Sequence, residues 1–259
     1  MKTIGSTIIM LALASSLFAD NGKELKLASP DGTHEIVFYQ KQVSPAVNEL
    51  CYRVDYKSQP VVNESRAGLE LDNRIWEMAL GVRNLKQPAC WMDNLEVDSV
   101  TYQPETNLTW QPLYGERSSV RDHYRAGTLC LSKKDNSGYR LNIEVRAYNE
   151  GVAFRYFFPE HPKAIFHKVV GDLTEYALPA GTKAWTEQWA QAFFERLNID
   201  DIKHPVERAL TFELPNGKWA ALADADVDDW CLTKYLVSTD KKNTLTSVMY
   251  SPVDVDRKS

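Results

Sequence analysis

The chain has 259 residues, 44% of them hydrophobic and 25% charged, with a net charge of −5. Those values belong to an ordinary globular protein and exclude a disordered one. The acidic balance, with no long run of one sign, argues against nucleic acid or an anionic membrane surface as partner, because either requires a basic patch.

The first element is a leader. Lys2, an apolar run from Ile8 to Phe18 and the small Ala19 before Asp20 read as a secretory signal peptide over residues 1–19. The run is too short for a transmembrane helix. The expectation is an exported protein, periplasmic or secreted, with no membrane span and a mature chain over residues 20–259.

Almost every later segment reads as strand. "HEIVFYQ" (34–40), "ELCYRVDYKS" (49–58), "LTWQPLY" (108–114) and "GTLCLSKK" (127–134) are β-rich and separated by Gly, Pro, Asn and Asp clusters. "YRLNIEVRAY" (139–148) and "VAFRYFF" (152–158) alternate apolar and polar residues on either side of Asn149-Glu150-Gly151. Period-two alternation around turn chemistry predicts a β-hairpin. "TEQWAQAFFERL" (186–197) is either one short helix or an irregular loop. "ALTFELP" (209–215), "WAALADAD" (219–226) and "TSVMYSP" (246–252) close the series. Many strands and few short helices predict an all-β fold, a large antiparallel β-sandwich of two packed sheets. The last strand reads as an edge with no cap, an aggregation hazard unless covered, which suggests a C-terminal partner domain.

Motifs for chemistry are sparse. Cys51, Cys90, Cys130 and Cys231 form no CxxC pair, which excludes a zinc ribbon or a thioredoxin-like site. Two disulfides or buried free thiols both fit them. "DADVDDW" (224–230) suggests a calcium loop, but it lacks the glycine and distal glutamate of an EF-hand. Asp224, Asp226 and Asp228 read better as a solvated strand end. His123 in "RDHY" reads as a structural hydrogen-bonding residue. No Ser/His/Asp arrangement, P-loop or dinucleotide fingerprint is present.

Five segments, in order, resemble the N-terminal domain of glycoside hydrolase family 97: "LASPDG" (27–32), "ELCYRVDYKSQPVV" (49–62), "SRAGLEL" (65–71), "WQPLYGERSSVRDHY" (110–124) and "RAYNEGVAFRY" (146–156). The resemblance implies a β-super-sandwich from an exported, calcium-dependent α-glucosidase or α-galactosidase of polysaccharide-degrading gut bacteria. It implies a (β/α)8 catalytic barrel in cis, which carries the catalytic carboxylates and the α-linked oligosaccharide site and is absent from this sequence. The resemblance therefore implies no catalytic residue here. It implies one donated calcium ligand, Glu195 of the Phe194-Glu195 pair, with Glu187 as the competing choice. Calcium takes six to eight oxygen ligands, so one glutamate cannot hold it alone. Trp185, Trp189, Phe193 and Phe194 form a dense aromatic group, suited either to packing or to stacking on sugar rings. Two functions follow: a non-catalytic domain of a longer α-glycosidase, or a free-standing carbohydrate-binding sandwich.

Overall fold

The computed structural model describes residues 24–81, 90–134, 137–225, 227 and 230–250. Residues 1–19, read from the sequence as a signal peptide, lie outside the described residues, as do Asp226 and Asp228.

In chain order the elements are β1 (Glu24–Ala28), β2 (His34–Ser44), β3 (Val47–Tyr56), β4 (Gln59–Arg66), β5 (Leu69–Leu71) and a short helix, α1 (Arg74–Ala79). Then come β6 (Leu95–Tyr102), β7 (Thr106–Trp110), β8 (Val120–Lys133), β9 (Arg140–Tyr148) and β10 (Gly151–Phe157). The last part holds β11 (Val169–Asp172), β12 (Glu175–Ala177), β13 (Lys183–Thr186), β14 (Glu195–Asn198), β15 (Leu210–Glu213), β16 (Trp219–Leu222), β17 (Leu232–Val237) and β18 (Thr244–Tyr250). All strand pairings are antiparallel. The protein is an all-β sandwich.

One sheet has the order β1-β2-β3-β4, and a second runs β10-β9-β8-β6, with β7 on the first half of β8. The hydrophobic pattern dictates how they face. In β9, Leu141, Ile143, Val145 and Ala147 are buried while their neighbours are not, because successive side chains leave a strand on opposite faces. Across from them lie Leu25, Ile36 and Phe38 of the first sheet, in the same buried cluster. Where β1 crosses β8 the gap is narrow: a Cβ on Gly127 would sit 3.2 Å from Leu25 Cδ1. Two more sheets, β12-β18-β17 and β14-β13-β15-β16, and the two-stranded pair β5-β11 extend the sandwich.

Tyr52 joins these parts. Its ring stacks on Phe38 at 5.3 Å, meets Phe154 of the second sheet at 5.3 Å and Tyr176 of β12 at 6.4 Å. Its hydroxyl donates to the Glu175 carbonyl at 2.6 Å. A second centre surrounds Trp91, buried against Tyr139, Phe158 and His167. Tyr139 Oη in turn donates to Glu77 Oε1 of α1 at 2.5 Å, which ties the helix to the sheet.

The expected hairpin at 146–156 is present, with Tyr148 opposite Gly151. Its arginines bridge neighbouring strands of the second sheet on its outer face. Arg155 pairs with Glu144 at 2.7 Å, and Arg146 lies over the Tyr124 ring at 4.6 Å. Tyr156 is within 2.6 Å of Thr174 Oγ1. The expected strand over 108–114 is shorter: β7 ends at Trp110, and Leu113 and Tyr114 are exposed. Pro112 has no N–H to continue the ladder. All four cysteines are free thiols, and burial pushes Cys51 and Cys90 up to about 11.

Two outcomes test this packing by urea denaturation. Tyr52→Phe leaves the Glu175 carbonyl without its donor and is expected to cost about 1–3 kcal/mol, and Tyr52→Ala about 3–5 kcal/mol. Acid should also weaken the fold through His167, whose burial, aided by the charge of His161, pushes it down to about 4. The unfolded chain takes up that proton near 6.5, so between pH 6.5 and 4 it binds more protons than the folded chain. Stability should fall as pH is lowered through that window, and His167→Gln should flatten the fall.

Candidate functional site at the β13–β14 loop

The central strand of the fourth sheet is β13, with β14 on one side and β15 on the other. Ala184 and Thr186 point into the core, and Lys183 and Trp185 point out. The pairing of Thr186 with Glu195 fixes both ends of the segment between them. Residues 187–194 are therefore an irregular loop, and of the two expectations for 186–197 the helix is ruled out. Within it Ala192 N–H donates to the Trp189 carbonyl at 2.8 Å, which makes a tight turn and no helix.

The base of the loop is clamped. Glu207 N–H donates to the Glu187 carbonyl at 2.9 Å, and Lys234 Nζ donates to the Gln188 carbonyl at 2.8 Å. Lys234 also pairs with Glu207 at 2.6 Å, with both side chains largely shielded from solvent. Thr186 Oγ1 closes the base by donating to the Glu195 carbonyl at 3.1 Å. Beyond this clamp the aromatic side chains project outward. Trp189 is 57% exposed, Phe193 93% and Phe194 64%. Trp185 stands beside Trp219, which is itself 56% exposed, with ring centroids 6.5 Å apart and planes 22° apart. Arg196 and Glu213 form an ion pair on the same outward face.

Glu195 opens β14 and is exposed, directly after Phe194 at the end of the loop. Glu187 is half-buried at the loop's start. No group of three or more His, Cys, Asp or Glu side chains among the described residues converges as a metal site. Glu195 can offer a cation one or two carboxylate oxygens, and further ligands would have to come from outside the described residues.

The other sequence candidates are structural. His123 Nε2 lies 2.7 Å from Glu105, which also accepts from Arg125. Asp224 pairs with Arg208 at 3.4 Å. Asp172 was not singled out in the sequence, although burial raises its carboxyl above the usual range. Thr174 already donates to it twice, from its backbone N–H and its hydroxyl, so it acts as a turn anchor. The roles of Lys234, Glu207 and Trp219 were also not legible, because each depends on partners far away in sequence. The one available signal was the tryptophan that starts the predicted strand at 219.

A family model described as glycosyl-hydrolase 97 N-terminal matches residues 27–252. The chain belongs to that family. Among similar members of the wider enzyme group is a retaining alpha-galactosidase of Bacteroides thetaiotaomicron, 23% identical over 95% of this chain and 35% of its own. A glycoside hydrolase family 97 enzyme from Pseudoalteromonas sp. strain K8, solved in complex with panose, superposes with a TM-score of 0.73. It is 22% identical over 87% of this chain and 32% of its own. A beta-arabinopyranosidase gives a TM-score of 0.70 at 16% identity, over 88% of this chain and 35% of its own. The family 97 N-terminal chain thus spans about a third of the length of these relatives.

The clamp can be tested directly. Lys234→Met leaves Glu207 shielded without its cation and is expected to cost about 3 kcal/mol, read by thermal or urea denaturation. Limited proteolysis should then cut within 187–194 well before the rest of the variant unfolds.

Proposed function

We propose that this chain is the non-catalytic N-terminal domain of an exported, calcium-dependent α-glycosidase of the α-glucosidase or α-galactosidase type. It braces a catalytic (β/α)8 barrel supplied in cis and walls one side of the α-linked oligosaccharide cleft. Glu195 donates one oxygen ligand to a calcium ion whose remaining ligands come from the barrel.

One observation carries the reading: a loop whose base is fixed by a shielded ion pair presents Trp189, Phe193 and Phe194 to solvent, with Glu195 next in line. Apolar side chains grouped on a rigid support mark a surface that another body covers. Membership of the family and the one-third coverage of longer glycosidases agree with that body being the rest of such an enzyme. Glycoside hydrolysis itself needs two carboxylates fixed across the scissile bond at about 5–5.5 Å or 6.5–9.5 Å. The loop offers Glu195 and Glu187 without a second wall to hold a sugar between them.

The exposed aromatics also support the second reading, a free-standing carbohydrate-binding sandwich, because tryptophan and phenylalanine faces stack on sugar rings. The two readings diverge in solution. Aryl α-glucosides and α-galactosides should not be hydrolysed by the chain, with or without calcium, and titration with malto- and galacto-oligosaccharides should be flat. Calcium-dependent turnover would overturn the non-catalytic reading. Saturable oligosaccharide binding that weakens on Trp189→Ala would favour the carbohydrate-binding one.

A further inference from the structure

β7 is an open edge of the second sheet. Tyr124 of β8 pairs with Tyr148 of β9 on one side and with Thr106 of β7 on the other. Among the described residues no strand pairs with the far side of β7. Asn107 to Trp110 are exposed, Leu108 to 63% and Trp110 to 53%. An edge of this kind offers unpaired backbone groups to any other strand, and proteins blunt it with lysine, proline or a bulge. β7 carries none of these. Its register with β8 runs without a shift, and the stretch "TNLTWQPLYG" (106–115) has no charged residue. Pro112 stands past the end of the strand.

The register fixes which backbone groups point off the sheet. Gln103, in the link from β6 to β7, donates its N–H to the Ala126 carbonyl at 3.0 Å, so Ala126 turns its backbone away from β9. Backbone groups alternate along a strand, so Tyr124 and Asp122 turn theirs the same way and bond Thr106 and Leu108. The N–H and C=O groups of Asn107 and Thr109 are left facing outward. Side chains alternate too. Thr106, Leu108 and Trp110 share the face of Tyr124, while Asn107 lies on the other, where Arg121 Nε donates to its Oδ1 at 2.9 Å.

We propose that β7 is a dimer edge, on which a second copy of the chain lays its own β7 antiparallel about a two-fold axis at Leu108. In that arrangement the strand is complementary to itself. Asn107 of each copy faces Thr109 of the other, so every outward backbone group gains a partner. Leu108 meets its own copy on the axis, and the bulky Trp110 lies opposite the smaller Thr106. With no charge in the strand, nothing repels the approach. The same axis carries residues 111–114 of each copy, with the exposed Leu113 and Tyr114, toward the exposed Tyr102 of the other. An unrelated strand would pair the backbone alone, whereas a second copy also matches these side chains.

Sedimentation velocity and amide hydrogen exchange, both over a wide concentration range, test the proposal on the whole chain. A reversible monomer–dimer equilibrium is expected. The amides of Asn107 and Thr109 should slow as concentration rises, while those of Thr106 and Leu108, bonded to β8, stay protected throughout. Thr109→Pro removes an outward N–H and no bond to β8, and should weaken the dimer at least about 30-fold, since the axis counts each loss twice. Leu108→Lys sets like charges against each other on the axis and should do the same. A chain that stays monomeric at every concentration would overturn the proposal. So would a dimer that both variants leave intact, the sign of another interface. Protection of Asn107 and Thr109 that ignores concentration would overturn it too, because the edge would then be covered within one chain.

Discussion

Tyr52 is the joint on which the sandwich depends. A sheet with one apolar face must bury it against another layer, and here three sheets meet at one ring. Phe38 belongs to its own sheet, Phe154 to β10 and Tyr176 to β12, and the hydroxyl is spent on the Glu175 carbonyl beside them. An aromatic ring suits this position because it offers large apolar faces to several neighbours and one polar atom at its tip. With that joint fixed, the β12-β18-β17 sheet is held against the first two. The Val206–Tyr235 bridge then links β17 to the segment that clamps the aromatic loop.

This chain of support gives the loop its character. Lys234 belongs to β17, Glu207 follows Val206 directly, and their ion pair grips the backbone at Glu187 and Gln188. The base of the loop is thus part of the folded core, while Trp189, Phe193 and Phe194 stand outside it. A flexible loop carrying the same side chains could fold them back onto the sandwich. The clamped loop holds them out as a preformed surface, a geometry suited to domain packing. Glu195 lies at the edge of that surface, on a strand whose register is set by Thr186.

Local features were legible in the sequence, and distant ones were not. The hairpin at 146–156 was readable because alternation and turn chemistry act between near neighbours. The sandwich class followed from the same signals, but the sequence shows nine strand segments where the described residues form eighteen strands. β5, β11 and β12 are only three or four residues long, too short to show a period. The 186–197 segment was ambiguous because its aromatic run fits both a helix and a loop, and only the Thr186–Glu195 pairing separates them. The Lys234–Glu207 clamp joins residues far apart along the chain, so no local pattern announces it. Glu195 came from the family resemblance, and its exposed place beside the aromatic loop is what the structure adds.

The central claim is that this sandwich works as one part of a longer glycosidase. Reading the coding DNA in frame past Ser259 tests it most directly. The account expects several hundred further codons encoding alternating strands and helices of a barrel, with its own pair of carboxylates. A stop codon directly after Ser259, together with a native secreted product of the corresponding mass, would contradict it.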